Sequence, residues 1–258
     1  MSIVLKSKAD IETLREGGKR HAQILAQLVS MVKPGVSTLT LEEEALAMIQ
    51  TMGDKPAFLG YKPAGARRPF PASLCVSINN EIVHGIPNEV ERIIQEGDLV
   101  SIDLGLVHNG LITDSAVTVC AGAPDDEARE LLRVGKLALE RGIEVAKPGN
   151  TVGDIGYAVS SVVKATMFSL ARDLAGHGVG YKVHEDPFVP NTGQKGEGEK
   201  LVPGMVLALE PMVNAGGSGI KTLSDGYTIV TKDGSRSVHF EHTIAITEKG
   251  NIILTSNN

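Results

Sequence analysis

Gly97-Asp98-Leu99-Val100-Ser101-Ile102-Asp103 and, 107 residues further on, Gly204-Met205-Val206-Leu207-Ala208-Leu209-Glu210 share one construction: a glycine, an apolar run of strand length and a carboxylate at its end. Three more pairs occur in the same chain order. Lys33-Pro34-Gly35 returns as Lys147-Pro148-Gly149, Val83-His84-Gly85-Ile86-Pro87 as Val183-His184-Glu185-Asp186-Pro187, and Asp114-Ser115-Ala116-Val117-Thr118-Val119 as Glu241-His242-Thr243-Ile244-Ala245-Ile246, at separations of 100 to 127 residues. An ordered set of matches predicts a duplicated fold with pseudo-twofold symmetry. Each half supplies a helix pair and strands, and the halves face each other across a central cleft. The expected unit is a single domain, 1–258, made of halves at about 1–122 and 123–258.

Working outward, the class is α+β with hairpins. A helix is predicted from Ser7, with Asp10 as its capping partner, to the stop at Pro34-Gly35. A second opens at Thr40 and ends at Gly53, and a further pair is predicted over 126–146 and 152–169. Strands are predicted at 74–78, 99–107, 111–120, 205–213, 227–231, 238–247 and 251–255.

These strands carry an anomaly. Asp103, Asp114, Glu210 and Glu241 all lie in apolar runs, and burying an ionised carboxylate costs several kcal/mol unless a counter-charge meets it. No Lys or Arg flanks them in their strands. A turn centred on His108-Asn109 sets Asp103 directly opposite Asp114; a turn on Asn109-Gly110 makes them diagonal neighbours, still within reach. Two divalent cations balance four carboxylates without any basic side chain, and they remove the mutual rise in pKa. His177, in Ala175-Gly176-His177-Gly178-Val179-Gly180, is the natural nitrogen ligand, its flanking glycines expected to let a metal approach the backbone. The repeat places Ser77 at the matching position, so the two metal positions differ.

Composition bounds the rest. The chain has 258 residues, 42% of them apolar, and no apolar run approaches the ~20 residues of a membrane span. The first ten residues offer too short an apolar stretch for a secretion signal, and Cys75 and Cys120 have no metal or redox spacing, so a reducing cytoplasm is expected. The net charge of −6 argues against nucleic acid as principal ligand.

The chain resembles the bacterial type I methionine aminopeptidases, a pita-bread metallopeptidase family, over nearly its whole length. The motifs are Val83-His84-Gly85-Ile86-Pro87, Ile102-Asp103, Asp114-Ser115, Gly176-His177-Gly178-Val179-Gly180, Glu210-Pro211-Met212 and Phe240-Glu241-His242-Thr243. The resemblance implies a curved antiparallel sheet with helices on its outer face and a dinuclear metal cleft at its centre. It implies that Asp103 binds one ion, His177 and Glu210 the other, and that Asp114 and Glu241 bridge both. It further implies removal of the N-terminal methionine from nascent proteins and peptides with a small second residue. On that resemblance a metal-bridging water or hydroxide would be the nucleophile and Glu210 the proton shuttle. His184 is implied to stabilise the tetrahedral intermediate and His84 to lie near the residue after methionine.

Phe58, Tyr61 and Phe70, stiffened by Pro56, Pro63, Pro69 and Pro71 and followed by Cys75, match the family's methionine pocket, to which Tyr227 also maps. Three departures bear on its shape: Tyr227 where relatives often have Trp, Val183 where some have Phe, and a lengthened Lys62–Pro69 loop. The cofactors implied are two divalent ions, Mn, Fe(II), Co or Zn, since oxygen ligands with one imidazole and no thiolate admit each. The partners implied are nascent N-termini with a transient ribosome contact, no membrane and no specific nucleic acid, for a monomer. The start, Met1-Ser2, makes the chain a candidate for its own activity. A prolidase or Xaa-Pro aminopeptidase of the same fold is the nearest alternative, disfavoured because those relatives carry a further N-terminal domain; a metal-free binding protein on this fold is disfavoured by the intact ligand set.

Overall fold

In the computed structural model, which describes residues 3–256, Asn109 and Gly110 have φ of 48° and 84° and form a two-residue hairpin turn. Positive φ at both positions is what this tight turn requires, and Asn-Gly supplies it with little strain. The register follows: Gly105 opposes Asp114 and Asp103 opposes Ala116. The two aspartates are therefore diagonal, and the directly opposed register is corrected, because His108 pairs with Leu111 as the last rung of the ladder.

The chain runs through α1 (Lys8–Met31), α2 (Thr38–Thr51), β1 (Lys55–Pro56), β2 (Leu74–Ile78), β3 (Glu81–Val83), β4 (Leu99–His108) and β5 (Leu111–Cys120). It continues through α3 (Asp126–Val145), α4 (Val152–Lys164), β6 (Ser169–Leu170), β7 (Ala175–Gly178) and β8 (Glu185–Pro190). It closes with β9 (Val206–Leu209), β10 (Met212–Asn214), β11 (Ile220–Thr222), β12 (Ile229–Thr231), β13 (Ser237–His239), β14 (His242–Thr247) and β15 (Gly250–Ile253). The capping pair at Ser7 and Asp10 is present in both directions. The second helix starts earlier than expected because Ser37 Oγ accepts from Thr40 N (3.1 Å), which makes Ser37 the cap and Thr40 the third helical residue. The fourth stops at Lys164, since Ser169-Leu170 pairs with β10 as a strand.

All strand pairs are antiparallel. β1, β4 and β2 form one sheet with β5 on β4, and β15-β14-β9-β7-β8 form another; two three-stranded sheets, β13-β10-β6 and β11-β12-β3, complete the set. Helices α1 and α2 press Ile24, Leu28, Leu41 and Ile49 against Val100, Ile102, Leu104 and Leu106 of β4. Strand alternation then turns Ser101, Asp103 and Gly105 to the opposite face. Helices α3 and α4 do the same to β9, burying Leu131, Val134, Ile155 and Val159 with Leu207 and Leu209. Val206 and Ala208 face a separate central core with Phe58, Phe70 and Tyr227.

The strands predicted over 205–213 and 238–247 are each two strands, broken at Glu210-Pro211 and at Phe240-Glu241. Glu210 and Glu241 thus sit at breaks rather than inside strands, which corrects the expectation for these two carboxylates. The second break lies on a seam where β5 meets β13 and β14 through side-chain hydroxyls. Thr243 Oγ1 accepts from Asp114 N (2.8 Å) and donates to its carbonyl (2.7 Å). Ser115 Oγ donates to the Glu241 carbonyl (2.7 Å), and Glu241 N donates to that of Ala116 (2.8 Å). This seam sets Asp114 beside Glu241.

Candidate metal centre and active-site cavity

Asp103, Asp114, His177, Glu210 and Glu241 line one cavity of about 650 Å³, together with His84, His184, Phe58, Tyr61, Phe70, Cys75 and Tyr227. The structure thus brings every site residue anticipated from the sequence to a single place. Within it, ligand atoms of Asp114, His177 and Glu241 lie within 4.8 Å of one another, the spacing of groups that can share an ion. His177 Nδ1 bonds the Gly178 carbonyl (2.9 Å), so its proton is held there and Nε2 is left as the free nitrogen, 3.3 Å from Glu210 Oε1. The glycines beside His177 also admit the neighbouring strands. A Cβ at Gly176 would sit 2.3 Å from the Ala208 carbonyl oxygen and one at Gly178 2.3 Å from that of Asp186, so they let β9 and β8 close on β7.

Among the described residues no Lys or Arg forms an ion pair with any of the four carboxylates, and Asp103 Oδ1 and Asp114 Oδ1 have no hydrogen-bond partner. Burial pushes Asp103 up to about 6, with Glu210 adding to the rise and His239 opposing it. Burial pushes Glu210 up to about 8. Asp114 and Glu241 are driven well above the usual carboxylate range, first by burial and then by their neighbours' charges. Four acids so placed are poorly accommodated by protein groups alone, and the donor set, oxygens with one free imidazole nitrogen, fits hard or borderline divalent ions.

The apolar wall is aromatic. Phe58 and Phe70 stand edge to face at 6.5 Å, and Phe70 and Tyr227 at 5.1 Å. Tyr227 Oη donates to the Arg68 carbonyl, and the Arg68 guanidinium pairs with Glu89 and reaches the Asp225 carbonyl (3.2 Å), so the lengthened loop is tied down at its far end. Cys75 pairs with Asp103 across β2 and β4, and burial holds its thiol well above the usual range, as an apolar wall group rather than a nucleophile. His84 has φ of 60°, a left-handed backbone uncommon for a non-glycine residue. His184 packs 4.4 Å from the His177 ring and bonds Tyr61 Oη through Nδ1 (2.8 Å).

One residue at this site escaped the sequence reading. His239 is buried behind the carboxylates, its Nε2 3.5 Å from Glu210 Oε2 and 4.0 Å from Glu241 Oε2. The signal was its position two residues before Glu241, on the same face of a run predicted as one strand.

Residues 12–248 match the model of metallopeptidase family M24. The chain is 48% identical over 259 residues to the methionine aminopeptidase of Aquifex aeolicus, covering 99% of each chain. The crystal structure of methionine aminopeptidase from Thermotoga maritima superposes with a TM-score of 0.94 at 41% identity, over 99% of this chain and 100% of that one. The prolidase of Pyrococcus furiosus shares the fold at a TM-score of 0.74 and 22% identity, with this chain spanning 66% of its length. Fold and cavity thus define a metal-dependent peptidase with the pita-bread fold, and the chain belongs to metallopeptidase family M24. Within that family it groups with the methionine aminopeptidases, and divalent metal ions are the cofactors of the class.

Proposed function

We propose that this chain removes the N-terminal methionine from peptides and nascent proteins whose second residue is small, with Asp103, Asp114, His177, Glu210 and Glu241 holding two divalent ions. The observation that carries the reading is one cavity joining this donor set to the aromatic wall of Phe58, Phe70 and Tyr227. An unbranched thioether fits such a wall, because it is apolar, flexible and favours sulfur–aromatic contact. Mn, Fe(II), Co and Zn all suit the donors.

When bound, such ions supply Lewis acidity, making water acidic enough to attack near neutral pH and polarising the scissile carbonyl. The protein groups orient and relay protons. Glu210, at the cavity edge of a strand break, accepts the proton from the attacking water and passes it to the departing amine. His184, its Nδ1 occupied by Tyr61, presents Nε2–H to the oxygen on which charge develops. His84 stands nearer the second residue. The reading carries with it two halves, about 1–122 and 123–258, that meet at the hydroxyl seam of β5 with β13 and β14. It also assigns the enzyme to the cytoplasm, where nascent chains emerge; among the described residues no helix is long and apolar enough to cross a membrane.

The test is hydrolysis of Met-Ala-Ser, Met-Lys-Ser, Leu-Ala-Ser and Ala-Pro, with and without added Mn or Co. Metal-dependent cleavage of Met-Ala-Ser alone is expected, since a bulky second side chain costs ~1 to 3 kcal/mol of overpacking, a ten- to hundredfold loss in rate. Cleavage of Ala-Pro in preference would make the chain an Xaa-Pro peptidase, and comparable rates for Met-Lys-Ser would remove the size filter.

A further inference from the structure

Glu210 lies between two imidazoles, one at each oxygen. His177 Nε2 is 3.3 Å from Oε1 and His239 Nε2 is 3.5 Å from Oε2. The two histidines are not equivalent. His177 lines the cavity with its Nδ1 committed to the Gly178 carbonyl, so Nε2 offers a lone pair to the cavity. His239 is 1% exposed, does not line the cavity, and neither ring nitrogen has a hydrogen-bond partner. Its backbone is fixed: Thr118 Oγ1 accepts from His239 N and donates to its carbonyl, both at 2.8 Å, while Ser101 Oγ holds that hydroxyl at 2.7 Å. For a buried ring so firmly placed, with no hydrogen-bond partner of its own, Glu210 Oε2 is the nearer of the two carboxylate oxygens beside Nε2. The 3.5 Å separation is longer than a made hydrogen bond and is closed by a small rotation of either side chain.

We propose that His239 is a positioning residue of the metal centre: its Nε2–H holds Glu210 Oε2, so that Oε1 is presented beside His177 Nε2 to a divalent ion. This rests on the reading of Glu210 and His177 as metal ligands. The physical need is general, since a ligating carboxylate whose second oxygen is unheld can rotate away, and outer partners that prevent this set metal affinity by about 10- to 100-fold. His239 also stands 4.0 Å from Glu241 Oε2, beyond hydrogen-bond reach, so its action is directed to Glu210.

The test uses the full chain stripped of metal and titrated with Co(II) by calorimetry. His239→Leu should lose about 10- to 100-fold in affinity, while His239→Gln, which keeps an N–H donor, should stay within about threefold of wild type. In a Glu210→Ala background the further loss on adding His239→Leu should vanish, because the carboxylate it acts through is gone. X-ray absorption on the Co(II)-loaded wild type, which needs no variant to fold, should count one imidazole per two cobalts. Two imidazoles would make His239 a ligand and overturn the proposal, as would unaltered affinity in His239→Leu or an undiminished loss in the Glu210→Ala background. A wild type that takes up Co(II) with the leucine variant unaffected removes the His239 assignment alone; a wild type that takes up none removes the metal-centre reading and this assignment together.

Discussion

Tyr61 Oη lies 2.8 Å from His184 Nδ1, with the two rings 5.5 Å apart and inclined at 44°. Desolvation raises the Tyr61 hydroxyl above its ordinary pKa and lowers that of His184. We assign the hydroxyl as the donor to Nδ1, which places the ring proton on Nε2, the nitrogen free to donate into the cavity. Tyr61→Phe preserves the ring and releases this choice of tautomer. We expect kcat to fall about tenfold, the worth of one well-placed hydrogen bond, with KM within twofold. Nitrogen-15 chemical shifts of His184 should show a single Nε2–H tautomer in wild type and a mixture in the variant. A rise in KM at constant kcat would reduce Tyr61 to a wall of the methionine pocket.

His177 and His184 pack 4.4 Å apart, yet their substitutions should separate cleanly. His177→Ala removes the free nitrogen beside Glu210 Oε1 and should lower metal occupancy, measured by elemental analysis after dialysis. His184→Ala should retain metal and lose roughly 10²- to 10³-fold in kcat, because its N–H serves developing charge rather than coordination. Equal metal loss in both variants would make His184 a ligand.

The carboxylates were legible because acids in apolar runs are costly, and only a shared purpose accounts for four of them. Their arrangement was less so. Either turn was compatible with spacing, and the choice rested on Asn109 and Gly110 both accepting positive φ. Pro211 signalled a break in the run after Glu210, since a proline cannot donate to a ladder. Nothing local signalled the break at Phe240-Glu241, which comes from contacts with β5 more than 100 residues earlier in the chain. His239 carried only the weak signal of standing two residues before Glu241, and its imidazole gains meaning once Glu210, at the break between β9 and β10, is beside it.

Lys6 and Glu185 form an ion pair with side chains 1% and 7% exposed, and Glu185 directly follows His184 in the chain. Glu185 also accepts from Tyr181 N (2.6 Å) and Lys182 N (2.8 Å), so Lys6 anchors the loop that carries His184. Lys6→Met leaves a buried carboxylate unpaired and should cost ~3 to 5 kcal/mol in denaturant unfolding, with a fall in kcat. Adding Glu185→Gln to Lys6→Met should recover most of the stability. A single variant as stable as wild type would show that the pair contributes nothing.

Chelation should make stability fall with pH above neutrality. Glu210 goes from an ordinary value of 4.5 to about 8 and Asp103 from 3.8 to about 6, both raised by burial, while Asp114 and Glu241 are raised well above the usual carboxylate range, first by burial. In the folded chain these acids hold protons that the unfolded chain has released, so their contribution is full below pH ~4 and is lost as pH climbs through the folded values. Buried histidines act in the opposite sense. His21 and His177 drop from 6.5 to about 3, and His84 and His242 to about 4, chiefly by burial, so they withdraw stability as pH falls below 6.5. The two groups oppose each other on the acid side of 6.5. Above it the histidines are neutral in both states while the raised acids still titrate, Glu210 up to about 8. The Tm of protein held in EDTA should therefore decline from pH 6.5 to 8. Saturating Mn or Co should flatten that slope, since divalent charge lets the acids ionise in place. Parallel slopes with and without metal would mean that the ions do not neutralise this cluster, and the ligand assignment would fall.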